Sequence, residues 1–312
     1  MVAGVDFGAH LPLVDFGTRP SLLGLKAYAK TAAGLGYRYL CANDHLLFAR
    51  PWLDGPAALA AVIAESQDMT LATTVSLPVL RGPAQLAKTL AAIDILSDGR
   101  LVIGVGPGSS ARDYAAAGIS FDQRWPRFDE AIPMLRALLA GDQAFEGAFY
   151  SSRGMDLEPR PAQRPTPPIW VATWGSPAGL RRVARTGDGW LASAYNTTPE
   201  VFAAAMKLLG RELERQAKPT ADFPNALVTM WVWITDKRPD AERVLSGVVG
   251  PLVKKDPAEL RGRICVGSAH ECAELLSRYA RAGCQHVHFW PVGDERRQVE
   301  LIAAEVMPRV CG

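Results

Sequence analysis

Short apolar runs rich in β-branched residues alternate with longer helix-periodic segments along nearly the whole chain. Strands are predicted at Val2–Gly8, Tyr37–Ala42, Met69–Pro78, Arg100–Val105, Ile169–Thr173, Asp188–Ser193, Leu227–Thr235 and Gln285–Pro291. Helices are predicted at Ser21–Leu35, Gly55–Ser66, Gln85–Leu96, Trp125–Leu139, Pro177–Arg185, Pro199–Gln216, within Asp240–Val249 and His270–Ala282, and at Gln298–Val310. A strand that hands over to a helix before the next strand implies parallel pairing. Right-handed crossovers then leave two architectures, an open doubly wound sheet or a closed barrel. Eight such units in 312 residues match the size of a (β/α)8 TIM barrel with insertions. No compositional break divides the halves, so a single barrel domain over 1–312 is expected.

Two irregular stretches fit that frame. Ala144–Tyr150 reads as a small hairpin turning at Glu146-Gly147. The prolines at 159, 161, 165, 167 and 168 mark an extended connection, because an apolar run starts straight after them.

Composition removes several classes of function. Apolar residues at 48% and charged residues at 21% supply a core and exclude a disordered chain. A balance of 34 basic against 32 acidic side chains offers no electrostatic footprint for nucleic acid or a membrane surface. No apolar run reaches the roughly 18 residues that a membrane span needs. Met1–Leu13 carries Asp6 and His10 and lacks the basic start of a secretion signal. The five cysteines, Cys41, Cys265, Cys272, Cys284 and Cys311, are scattered and form no CxxC, so reduced thiols in a cytoplasmic protein are expected.

The residues with chemistry cluster after predicted strands. Gly106-Pro107-Gly108 follows Arg100–Val105, but Ser109 stands where a dinucleotide fingerprint needs its last glycine, and Pro107 lacks an amide donor. That turn either cradles a ligand or is simply a turn. Trp174-Gly175-Ser176-Pro177 follows Ile169–Thr173; Ser is a favoured N-cap and Pro a favoured first helical residue. A helix opening there attracts an anion through its free amides, unless it is an ordinary capped helix.

Asp44-His45 follows Tyr37–Ala42, where His45 can act as general acid or base and Asp44 as its partner or as a ring ligand; loop capping is the plain alternative. His10 follows the first strand and faces the same end. His286 and His288 share a strand face without a third ligand at metal spacing, so no metal is expected. Trp174, Trp231 and Trp290 sit near strand ends, where they either line an apolar mouth for a planar cofactor or substrate, or pack the core. Neither G-x-S-x-G, a Walker A loop nor HExxH is present.

In this order the segments Gly34–His45, Leu71–Gly108, Arg127–Gly141, Pro167–Leu191 and Arg278–Gly293 resemble the bacterial luciferase-like flavin and deazaflavin oxidoreductases. The resemblance covers most of the chain and is weakest over Ser193–Ala226 and Pro239–Arg263. It implies a TIM barrel with a flavin-type cofactor at the strands' C-terminal ends. Asp44 would then approach the ring and His45 the reacting carbon. A cis peptide at Thr74-Val75 would form a bulge behind the ring, and Gly106, Gly108, Gly175 and Ser176 would hold the phosphate, with Pro107 and Trp174 in the same walls.

The Asn43-Asp44-His45 element and the GVGPG turn resemble the branch that uses coenzyme F420, with FMN as the alternative. The glucose-6-phosphate dehydrogenases of that branch carry a proton-donating Glu directly after the turn; this chain has Ser109. Arg296-Arg297 resembles their phosphate-binding arginine region or is a solvated helix start. Hydride transfer between F420 and a small organic substrate is therefore expected, with His10, Trp231 and Trp290 at the substrate and a homodimer as the assembly. An FMN-dependent monooxygenase is the rival reading, and a ligand-binding protein without turnover is the non-enzymatic one.

Overall fold

The computed structural model describes residues 4–311. Its nine strands are β1 Asp6–His10, β2 Tyr39–Ala42, β3 Thr70–Thr73, β4 Leu101–Val105, β5 Ile169–Ala172, β6 Gly189–Ser193, β7 Asn225–Ile234, β8 Cys265–Gly267 and β9 His286–Pro291. All ladders between them are parallel. β1 to β7 pair in sequence, β7 pairs β9, and β9 pairs β1, which closes an eight-stranded barrel. The open-sheet alternative is thereby removed. Of the first predicted strand, Val2 and Ala3 lie outside the described residues.

The ninth strand is absent from the sequence reading. β8 pairs only with Val232–Ile234, the outer end of β7. The inner end of β7 meets both barrel neighbours, and a register shift between Leu227 and Met230 lets one strand serve both roles. Thr229 takes φ 57° at that shift.

Thirteen α-helices accompany the strands among the described residues. They include α1 Leu22–Gly34, α2 Gly55–Ala61, α3 Pro78–Arg81, α4 Pro83–Leu96, α5 Ala111–Ala116, α6 Arg124–Ala140, α7 Pro177–Thr186 and α8 Pro199–Arg215, then Ala269–Arg281 and Glu295–Leu301. Capping follows local chemistry: Ser21, Asp54, Ser110, Ser176 and Thr198 each accept an amide of the first turn they precede. The predicted strand Met69–Pro78 stops at Thr73, and Pro78 instead opens α3. The hairpin exists, with Glu146 bridged to Ser151. Its turn is closed by the Gly147 amide on the Tyr150 carbonyl at 2.8 Å, later than the Glu146-Gly147 expectation.

Alternate residues of each strand point into the barrel, where Cys41, Ala72, Val102, Trp170, Leu191, Ala226 and Val228 form one cluster. The other faces pack under the helices in a second, larger core. Glycine is required where neighbouring strands come closest. A Cβ on Gly104 would lie 2.0 Å from the Thr73 carbonyl oxygen, and one on Gly8 would lie 2.6 Å from the His288 ring. No described helix is long and apolar enough to cross a membrane.

Candidate active site

Because the barrel strands run parallel, their C-terminal ends share one rim. His10 ends β1, Asp44 and His45 follow β2, Thr74-Val75 follows β3, Gly106–Gly108 follows β4, and Trp174–Ser176 follows β5. Trp231 and Trp290 lie in the outer parts of β7 and β9. Residues far apart in sequence are thus delivered to one face by strand direction alone.

Asn43 ties the first two of these loops together. Its Oδ1 accepts the Asp44 amide at 2.5 Å and the Val75 amide at 3.3 Å. Asp44 is buried, and its carboxylate accepts from Arg81 Nε at 2.6 Å and Nη2 at 2.7 Å. Arg81 also donates to Asp54, so one guanidinium holds two carboxylates. The hydrogen bonds that Arg81 donates to Asp44 hold its guanidinium above the usual range, against the opposing effect of partial burial, so it stays protonated.

The partner of His45 differs from the sequence expectation. It is Asp113, not Asp44: Asp113 Oδ2 lies 3.2 Å from His45 Nδ1. Asp113 is 1% exposed, and its other oxygen accepts the Leu47 amide at 3.0 Å. Burial pushes the Asp113 carboxyl up, but hydrogen bonds from His45, Leu47 and Ser110 bring it below the usual carboxylate range. The imidazole packs against Phe48 and Trp52, with ring centroids at 4.8 and 4.7 Å, and those two rings meet each other at 4.5 Å. A cleft of about 350 Å³ opens beside it, lined by Asp44, His45, Leu46, Trp52, Leu77 and Arg81 among others.

The Thr74-Val75 peptide is cis, as the family resemblance implies. The Thr74 amide donates to the Ala42 carbonyl at 2.7 Å, which anchors the bulge to β2. Val75 in turn fills the space beside the glycine turn: a Cβ on Gly106 would lie 2.7 Å from Val75 Cγ2 and 3.7 Å from Ala172 Cβ. The corners after β4 and β5 therefore lie side by side. Gly108 at φ +78° and Gly175 at φ +88° hold backbone conformations that L side chains rarely adopt. Ser176 caps α7 by accepting the Gly179 amide at 3.2 Å. A Cβ on Gly179 would strike Thr173 Oγ1 at 1.9 Å, so the first turn of α7 packs directly on the residue that follows β5.

The mouth itself is aromatic. His10 stacks on Trp290 at 3.8 Å, Trp290 stacks on Trp231 at 4.3 Å, and Trp52 meets Trp290 edge-on at 5.3 Å. Trp231 and Trp290 are buried against each other, whereas Trp174 is 62% exposed on the rim. His10 Nε2, Ser76 Oγ and Trp231 Nε1 are buried without a hydrogen-bond partner. Buried donors and acceptors left unpaired at the barrel mouth fit the polar edge of a heterocyclic cofactor. Among the described residues no group of three or more His, Cys, Asp or Glu side chains could hold a metal ion.

Sequence reasoning missed Asp113, Arg81 and Trp52. The only local sign of Asp113 was Ser110 three residues ahead of it, the spacing of a helix N-cap.

A parallel eight-stranded barrel with an imidazole–carboxylate pair and two glycine corners on its C-terminal rim is a barrel enzyme of the cofactor-binding kind. The luciferase-like monooxygenase family matches residues 12–286, and the chain belongs to it. An F420-dependent glucose-6-phosphate dehydrogenase of Beutenbergia cavernae is 30% identical over 92% of this chain and 93% of that protein. An F420-dependent hydroxymycolic acid dehydrogenase of Mycobacterium tuberculosis is 32% identical, over 60% of this chain and 55% of its own length. In fold, the chain is similar to an F420-dependent secondary alcohol dehydrogenase solved with an F420-acetone adduct. The TM-score is 0.84 at 18% identity, covering 99% of this chain and 100% of that one.

Proposed function

We propose that the protein is an F420-dependent oxidoreductase that acts on a small, uncharged organic substrate. The observation that carries this reading is His45: it stands on the strand-end rim with Nδ1 held by Asp113 and with the glycine corners on the strands beyond the bulge. The named F420-dependent relatives support the choice of cofactor. When bound, F420 supplies a ring that gives or takes a hydride at one carbon. Gly106, Pro107, Gly108, Trp174, Gly175 and Ser176 form the corner for its phosphate, and Thr74-Val75 backs the ring. Asp44, fixed by Arg81, presents a set charge at the ring's edge. His45 moves the proton that accompanies the hydride, through Nε2. His10, Trp231 and Trp290 exclude water from the floor of the mouth.

The charge of the cleft supports an uncharged substrate. Arg81, the one cation among its described lining, is already held by Asp44 and Asp54. Arg296 and Arg297 are exposed, and Arg296 lines a different cleft, with Ser21 and Tyr28, rather than the one beside His45. A single barrel domain, a cytoplasmic setting suited to five free thiols and a homodimer complete the reading.

Titration of the protein with F420 and with FMN, followed by fluorescence, tests the cofactor. F420 is expected to bind at micromolar concentration and more tightly than FMN. Turnover read as loss of F420 absorbance with secondary alcohols, against glucose 6-phosphate, tests the substrate. Tighter FMN binding with oxygen consumption would overturn the reading in favour of a monooxygenase. Light scattering at the mass of one chain would remove the dimer.

A further inference from the structure

We propose that Asp113 is a positioning residue that fixes His45 in the Nδ1–H tautomer and so leaves Nε2 as the proton-transfer atom. The role of that atom in turnover rests on the functional reading above; the tautomer does not. A carboxylate can only accept, so the neutral imidazole facing Asp113 Oδ2 at 3.2 Å carries its proton on Nδ1. Asp113 cannot turn away to other partners, because its second oxygen already accepts the Leu47 amide at 3.0 Å. Its backbone is pinned as well: the Asp113 amide donates to Ser110 Oγ at 3.2 Å at the start of α5. The next residue, Tyr114, donates its hydroxyl to the Pro107 carbonyl, so the same short helix is fastened to the glycine turn after β4. Phe48 and Trp52 pack against the ring, and with Nδ1 facing Asp113 the other ring nitrogen, Nε2, is the one left for chemistry. The carboxylate thus sets both which nitrogen is basic and where it sits relative to the ligand corner.

Asp113→Asn separates this role from a merely structural one. The Leu47 amide needs an oxygen opposite it, so the new amide must turn its NH2 toward His45 Nδ1. That donor forces the proton to Nε2. Nitrogen-15 NMR of histidine-labelled, cofactor-free protein reads the change directly: the Nδ1–H pattern of the wild type is expected to become Nε2–H. With F420 and its substrate, kcat is expected to fall about 100-fold, the size of a lost general base, while KM and F420 affinity stay within about threefold. Asp113→Glu is expected to keep the Nδ1–H tautomer and to recover part of kcat. Persistence of the Nδ1–H tautomer in the Asn variant would overturn the proposal, as would a flipped tautomer with unchanged kcat. Should wild-type protein fail to bind F420, the functional reading falls while the NMR measurement still decides the tautomer.

Discussion

Asp44 gives both carboxylate oxygens to one guanidinium, accepting Arg81 Nε at 2.6 Å and Nη2 at 2.7 Å. Arg81 ends α3, and its second partner, Asp54, is the N-cap of α2. One cation therefore joins the loops after β2 and β3 to the start of a helix. Arg81→Ala leaves a buried carboxylate without its counter-charge. Breaking a fully buried pair costs about 3–5 kcal/mol, and because the Arg81 side chain is 29% exposed, solvent takes up part of that. A loss of about 2 kcal/mol in urea unfolding is expected. Adding Asp44→Asn to Arg81→Ala should recover part of it, since no charge is then stranded. An unchanged urea midpoint for Arg81→Ala would show that water already carries Asp44.

His45→Ala removes the imidazole without touching either glycine corner. Turnover should fall about 100-fold or more, with F420 affinity within about threefold of wild type. Steady-state rates and fluorescence titration on the same preparation give both numbers. Equal loss of binding and rate would make His45 a cofactor contact instead.

Two glycines of one turn are expected to respond differently to alanine. At Gly106 the new Cβ meets Val75 Cγ2 at 2.7 Å, and a β-branched side chain has little freedom to move aside. Displacing Val75 shifts the bulge, so Gly106→Ala should lose more than tenfold in F420 affinity and about 1–3 kcal/mol in stability. At Gly108 the nearest atom is Leu77 Cδ2 at an ordinary 3.5 Å, and only the φ of +78° resists a side chain. Gly108→Ala should cost about 1 kcal/mol, with a smaller change in affinity. Similar affinities for both variants would detach the Val75 contact from cofactor binding.

The contrast between barrel and site shows what a linear pattern carries. Strand–helix alternation is local, so the eight barrel strands were legible from apolar runs and, after β5, from the capping residue Ser176. β8 has three residues and pairs with only the outer end of β7, too short a run for periodicity to register. The rim position of His45 follows from strand order, but its carboxylate lies 68 residues away, and Arg81 lies 37 residues from Asp44. Side chains that meet only through barrel closure leave no spacing rule in the sequence. Trp231 and Trp290 were legible as strand-end aromatics; that they stack on each other depends on the β7–β9 register, in which they are partners.

Acid should weaken the protein through the barrel interior before its carboxylates are neutralised. Burial lowers His10 and His288 to about 3 from an ordinary 6.5; for His10 a hydrogen bond to the Leu11 carbonyl opposes the shift, and for His288 the neighbouring His286 and His10 add to it. Both rings are therefore neutral in the folded barrel across pH values at which the unfolded chain protonates them. Between those limits the unfolded state binds more protons, so stability is fully present above the ordinary value and falls as pH drops toward 3. Each ring adds a slope of up to about 1.4 kcal/mol per pH unit. His288 packs against the Tyr39 ring at 5.1 Å, and both its nitrogens lack partners, so a phenyl ring suits the site. His288→Phe should flatten the stability profile by about one such increment between pH of roughly 4.5 and 6, where carboxylates stay ionised. Urea unfolding at stepped pH measures it. A slope identical to wild type would mean that His288 is already hydrated or charged inside the barrel.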